Sequence, residues 1–390
     1  MIDLQGYTKR LTAVLFAALG ITFFSGRASA APTTPPLCSE IAMTTTDSNG
    51  GSTLLVMGGS DGKAYYQVRP NLSASTPWVA LFGGRALFPA CAPFAIGLSG
   101  SNIDVFGIGN DGLMYTAYTS GSGWNYGSMG GTFYPGAAVA VVERYIGRRQ
   151  IDLFATGTDG RIWTTWWNNG WNAWGAIGTQ KFPQSNPILA FPHGTSSHPD
   201  DLGQLDLYVV ANNNQLWTNY FDWFSPGWHS WGVIGSGFSG GRVSATSRIY
   251  DTGNWLFHNM VQQLDLFGVN GNHGLITTYW NNGWYSGGWG VIPNITMADG
   301  TGVAADVFNV SGTTVSGIGL YTTDSSGYLR RANWQSGQGW SAWSYFPNSP
   351  RVISPINTSI QEAWGDVYLY NGNKFSYARL DDGALFSLVN

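Results

Sequence analysis

The chain has 390 residues, 18 of them Lys or Arg and 22 Asp or Glu, for a formal net charge of −4. Charged residues make up only 10% of it, while 54 glycines and 19 tryptophans suit tight turns and strands rather than helices, which draw on Glu, Lys, Ala and Leu. An acidic, charge-poor chain argues against nucleic acid or an anionic membrane as its main partner.

At the N-terminus, Lys9 and Arg10 precede an apolar run from Leu11 to Phe24, and Ala28-Ser29-Ala30 offers a small-residue cleavage site. Residues 1–30 therefore read as a secretory signal peptide. The run falls short of the ~20 residues a bilayer-spanning helix needs, and no later stretch reaches that length. The mature chain, residues 31–390, is expected to be secreted without membrane insertion. It keeps 15 basic and 21 acidic residues, a net charge of −6. Cys38 and Cys91, the only cysteines, both lie in it, and an even count in an exported protein permits a disulfide. Each follows a proline by two residues (Pro36, Pro89), at matching places in the predicted first strands of adjacent repeats, so the two are expected to be bonded.

Internal repetition decides the architecture. The segment from Ile151 to Trp163, followed by TTWWNNGW up to Trp171, is echoed from Leu264 to Ile276, followed by TTYWNNGW up to Trp284. The same frame returns at Ile103–Phe106, Leu205–Tyr208 and Ile318–Tyr321, with weaker copies around Asp61-Gly62 and Asp382-Gly383. Anchored on their turns, the copies fall at Gly62, Gly112, Gly160, Asn214, His273, Gly327 and Gly383, at intervals of 48 to 59 residues. Seven copies at that pitch fill residues 31–390 as a single domain.

Each copy reads as strands. IDLF and LDLF alternate polar and apolar residues, as a half-buried strand requires. Asp-Gly, Asn-Asn or Asn-His then supplies residues that tolerate positive φ in a two-residue hairpin. A Thr- and aromatic-rich third strand follows, and a second turn (Asn169-Gly170, Asn282-Gly283) leads to a Trp-containing outer strand. A short apolar segment such as Ala137–Val142 opens the next copy. The predicted fold is all-β: a seven-bladed β-propeller of four-stranded antiparallel blades. Because the last repeat runs out after its third strand, the segment before Ile41 is expected to help close the ring.

The frame Asp-Leu-Phe-x-x-Gly-x-Asp-Gly-x-Ile/Leu-x-x-x-Trp-Trp…Gly-Trp-x-x-Trp-x-x-Ile-Gly resembles the bacterial seven-bladed propeller lectins of the Photorhabdus type. More distantly it is similar to tectonins and to Aleuria-type fucose lectins. The resemblance covers nearly all of residues 31–390. It implies a protein that binds glycans, such as fucose or O-methylated sugars on cell surfaces or glycoproteins, in pockets between blades, with no catalysis, cofactor or metal requirement.

The residues suggest where. Most repeated tryptophans (Trp171, Trp174, Trp228, Trp231, Trp284, Trp289, Trp340, Trp343) are expected to pack between blades. Trp167, Phe221, Trp280 and Trp334 end the third strand beside a loop and are the candidate sugar-stacking residues. Asn168, Asp222 and Asn281 in the same turns, with Arg330, are candidates for binding hydroxyls. The repeated aspartates at 104, 152, 206 and 265 read as structural, since a catalytic group is not needed four times. The basic stretch Arg144–Arg149 reads as a solvated loop tip. Five scattered histidines and two cysteines lack metal-ligand spacing, and three glutamates, Glu40, Glu143 and Glu362, make the facing carboxylate pair of a glycosidase hard to assemble. A propeller scaffold that binds a protein is the principal alternative; a glycoside hydrolase is the lesser one.

Overall fold

A computed structural model describes residues 35–345, apart from 40, 46–51, 71–75, 100–101, 121–122, 146–148, 194–203, 223–225, 252–259, 282, 298–301 and 310–315, together with 375–379 and 385–389. The expected signal peptide lies outside the described residues, as do positions 346–374 of the last repeat. No helix among the described residues is long and apolar enough to cross a membrane. Strands dominate, with one short 3-10 turn at Phe82–Gly84.

The strands form six sheets of four or five strands and a final hairpin, every strand pair antiparallel. The first sheet contains Ala42–Thr45, Ser52–Gly58, Ala64–Pro70 and Val79–Ala80; the second, Ala95–Ser99, Asn102–Ile108, Met114–Ser120 and Gly123–Gly130. The third runs Val139–Tyr145, Arg149–Thr156, Ile162–Trp167 and Gly175–Ala176. The fourth is Leu189–His193, Gln204–Val210 and Gln215–Asp222, edged by Gly227–Trp228 and Gly232–Ser236. The fifth is Phe238–Asp251, Met260–Asn270, Leu275–Trp280 and Gly290–Val291. The sixth is Val303–Asn309, Ser316–Thr323 and Leu329–Gln335, edged by Gly339–Trp340 and Ser344–Tyr345. Phe375–Arg379 and Leu385–Val389 form the hairpin. The first strand of each of the six sheets neighbours the first strand of the next, in chain order.

The second strands differ from expectation. They are buried on both faces along nearly their whole length, as in Leu54–Gly58 and Leu205–Val210, because each sheet is covered by a neighbour on either side. The polar residues of IDLF and LDLF, Asp152 and Asp265, are accordingly buried too. The turns after these strands are three-residue loops rather than the expected two-residue ones, as in 60–62 between Gly59 and Lys63 and 158–160 between Gly157 and Arg161, each with positive φ only at its last residue. Gly62, Gly112, Gly160 and Gly327 adopt positive φ, and Asn214 (58°) and His273 (59°) take the same conformation where glycine is absent.

Aromatic rings knit successive sheets together. Phe106 meets Trp171 edge-on at 5.6 Å, Phe154 meets Trp228 at 5.6 Å, Tyr208 meets Trp284 at 6.2 Å and Phe267 meets Trp340 at 6.2 Å. One turn further on, the indole N–H of Trp174, Trp231, Trp289 and Trp343 donates to a carbonyl in or just after the preceding sheet's outer edge strand (Met129, Ile177, Ile234 and Pro293) at 2.9–3.1 Å. An indole half-buried in a seam keeps its N–H satisfied this way. The packing role read from the tryptophan repeats is therefore the observed one.

Cys38 and Cys91 are bonded, with a Cα separation of 5.0 Å, inside the 7 Å limit for a bridge. They precede the first strands of their sheets instead of lying within them. Both are anchored on one turn, the Cys38 N–H donating to the Gly58 carbonyl and the Cys91 N–H to that of Gly59. The described part of the N-terminal segment also stays with the first sheet, where Leu37 bridges Gly59; among the described residues it makes no strand with the final hairpin.

Candidate functional site

Strand register places the expected stacking residues at one equivalent position. Trp167 sits opposite Ile151 and Trp171, Phe221 opposite Leu205 and Trp228, Trp280 opposite Leu264 and Trp284, and Trp334 opposite Ile318 and Trp340. All four are half-buried against the apolar cluster of the seam with the preceding sheet. They are walls of the seams and not free-standing platforms.

The neighbouring residue on each third strand points to the other face, toward the following sheet. There Tyr118, Trp166, Tyr220 and Tyr279 stand directly opposite Asp104, Asp152, Asp206 and Asp265. Two residues beyond each aspartate is the ring that contacts the next sheet (Phe106, Phe154, Tyr208, Phe267), which fixes the direction of the carboxylates. The carboxylates are buried, whereas Tyr118 is 39% and Trp166 37% exposed. Tyr220 stacks on His229 at 3.9 Å and Tyr279 on Tyr285 at 4.9 Å. Each of these four seams thus has a buried acid at its floor and an aromatic rim.

Neutral donors reach three of these acids. The side-chain amide of Gln150 donates to Asp152 at 3.0 Å, that of Gln204 to Asp206 at 2.8 Å and that of Gln263 to Asp265 at 2.8 Å. The Tyr208 hydroxyl also donates to Asp206, at 3.0 Å. These neutral partners of Asp152, Asp206 and Asp265 lie along the aspartates' own strands.

The fifth–sixth seam adds a charge. Arg248, on the first strand of the fifth sheet, donates from Nε to Asp265 at 2.8 Å and from Nη2 at 3.3 Å, and its guanidinium lies 4.2 Å from the ring centre of Trp334. Burial pushes the Asp265 carboxyl above its usual range, against the pull of Arg248 and Gln263. Arg248 stands opposite Gln263 in register, as Arg144 stands opposite Gln150. Arg144, read as part of a loop tip, is therefore in a strand, at the equivalent position of the third sheet.

The other candidates divide. The Asn168 N–H donates to the Gly170 carbonyl and the Asn281 N–H to that of Gly283, each at 3.0 Å, closing the same turn. Asn168 Oδ1 is buried without a partner. Asp222 ends its third strand opposite Gln204. These three lie next to the seam aromatics. Arg330 does not. It is four residues from Trp334, about 13 Å along a strand, and it is engaged there by Asp324 (2.6 Å) and the Tyr345 ring (3.2 Å). Sequence reasoning missed the cross-strand pairing of each aspartate with an aromatic, and Arg248. Counting outward from each hairpin would have aligned the former; nothing local marks Arg248.

No protein-family model and no curated protein matches the chain. Solved structures do. The BP39L lectin from Burkholderia pseudomallei superposes with a TM-score of 0.72 and 22% identity, over 90% of this chain and 96% of that one. The fold is a β-propeller. The Aleuria aurantia lectin, a six-bladed propeller described as having a novel fucose recognition mode, gives a TM-score of 0.50 at 18% identity over 80% of this chain and 97% of that one. AofleA from Arthrobotrys oligospora gives 0.51 at 12% identity, over 80% and 88%. The likeness is to propellers of bacterial and Aleuria-type lectins rather than to the Photorhabdus type in particular. In this propeller the described blades are six complete sheets and the final hairpin.

Proposed function

We propose that the protein is a secreted, multivalent lectin that binds neutral, hydroxyl-rich sugars such as fucose or O-methylated glycans in the seams between its blades. The observation that carries this reading is the fifth–sixth seam, where Arg248, Asp265 and Trp334 from two blades converge. A sugar presents an apolar face and a polar rim. An aromatic wall covers the face, and a guanidinium beside a carboxylate offers donor and acceptor to adjacent hydroxyls without net charge. The same acid-and-aromatic pairing in other seams suits repeated binding better than catalysis, which needs one site. That BP39L and the Aleuria protein are lectins supports the reading further.

The ring is proposed to have seven blades. The hairpin has the same register as the second and third strands of a blade, Phe375 pairing with Val389 as Asp152 pairs with Trp166. Residues 1–30 are proposed to direct export. Titration calorimetry of the mature chain with methyl α-L-fucoside, backed by a glycan array, tests the function. Heat of binding that Asp265→Asn diminishes is the expected result; silence across the array would favour a protein-binding scaffold.

A further inference from the structure

The seams are not equivalent, and the way they differ points to a valency. The aspartate with its opposed aromatic is present in the second, third, fourth and fifth blades (Asp104 with Tyr118, Asp152 with Trp166, Asp206 with Tyr220, Asp265 with Tyr279). At that register the first blade has Leu54 with Val68, the sixth Gly319 with Asn333 and the hairpin Phe375 with Val389. The aromatic ending the third strand occurs in the third to sixth blades (Trp167, Phe221, Trp280, Trp334). The first blade has Arg69 there and the second Thr119.

The two sets are displaced by one blade. Residues that merely packed their own blade would recur in the same blades. A displacement by one is what a unit shared across a seam requires: acid and rim aromatic from one blade, wall aromatic from the next. Complete units arise at the second–third, third–fourth, fourth–fifth and fifth–sixth seams. The first–second seam is sealed instead. Leu54, Val56, Tyr66 and Val68 fill it against Trp124, with Tyr66 5.4 Å from that ring, and the Thr119 hydroxyl is taken up by the Ile103 N–H at 2.8 Å.

We infer that the ring carries four sugar sites, all in one contiguous arc, and that the remaining seams serve closure. This rests on the lectin reading above. Binding stoichiometry tests it, by calorimetry and native mass spectrometry of the mature chain with methyl α-L-fucoside, or with the monosaccharide a glycan array ranks first. Four sugars per chain are expected. Asp206→Asn, which keeps the shape but turns one accepting oxygen into an amide donor, should lower the count to three, the surviving sites reporting an intact fold. Asn333→Ala, outside the arc, should leave four. A count of six or seven, an unchanged count in Asp206→Asn, or a loss in Asn333→Ala overturns the arc while leaving the lectin reading in place. Absence of binding to every arrayed glycan overturns the lectin reading itself.

Discussion

Asp265 shows what it costs to keep a charge in a seam. Its carboxyl is buried, and burial raises its pKa although Arg248 and Gln263 oppose the rise. A carboxyl whose folded pKa exceeds its unfolded value binds more protons in the native state, so its contribution to stability is full below about pH 4 and is lost as pH rises through the folded pKa. Asp265→Asn removes that slope. The difference in melting temperature between wild type and Asp265→Asn should therefore move against the wild type from pH 4 to pH 7, as measured by calorimetric scans across that range. Asn219 makes the opposite case. It is 1% exposed, and neither atom of its amide has a partner. At the same position in the neighbouring blades, Thr165 and Thr278 donate to the carbonyls of Asn172 and Gly288. An unmet buried polar group costs about 1–3 kcal/mol, so Asn219→Thr is expected to raise the melting temperature by roughly 2–4 °C. No change or a fall would show that the amide is satisfied in solution.

Elements were legible in the sequence to the extent that local chemistry dictates them. Turn residues tolerant of positive φ, Asn214 and His273 included, adopt it, and the repeated tryptophans hold the blades together as their spacing suggests. What local chemistry does not dictate was misread. The alternation in IDLF implied a half-buried strand, but burial on both faces comes from the neighbouring blades, which no single strand encodes. The aspartates were assigned to structure because they recur, yet recurrence is also how a ring multiplies a site. Trp167, Phe221, Trp280 and Trp334 were placed correctly beside the loops, and their half-burial followed only from the seam. Arg330 was a candidate for binding hydroxyls, but the strand carries it about 13 Å from Trp334, where Asp324 and Tyr345 engage it. The disulfide was legible because both cysteines enter their blades alike. It closes a separation of 53 residues, for which loop entropy gives about 4 kcal/mol. Replacing both cysteines by serine should cost roughly 2–4 kcal/mol of unfolding free energy, measured by denaturant titration, and leave sugar stoichiometry unchanged, since the bond lies outside the arc of complete seams.

At the scale of the ring, affinity must come from number. Each complete seam offers aromatic contact and hydrogen bonds that net only about 1 kcal/mol apiece against water, which implies single-site dissociation constants of micromolar to millimolar order. Neighbouring seams in one arc present their sites along one side of the ring, so a dense glycan surface can engage several at once. Simultaneous engagement raises apparent affinity by about 10²–10⁴-fold when spacing permits it. Arg248, the guanidinium that meets the wall tryptophan of the fifth–sixth seam, is paired with Asp265. Binding should therefore weaken little with salt, unlike association between unpaired charges, which is screened within about 8 Å at physiological ionic strength. Surface plasmon resonance on chips of graded glycan density measures both effects. Apparent affinity is expected to climb steeply with density and to change less than about twofold between 0.05 and 0.5 M NaCl. Combining Asp152→Asn with Asp206→Asn, which vacates the middle of the arc, should cost far more on the dense chip than on the sparse one. An equal loss at both densities would mean that each ring engages the surface through one site at a time.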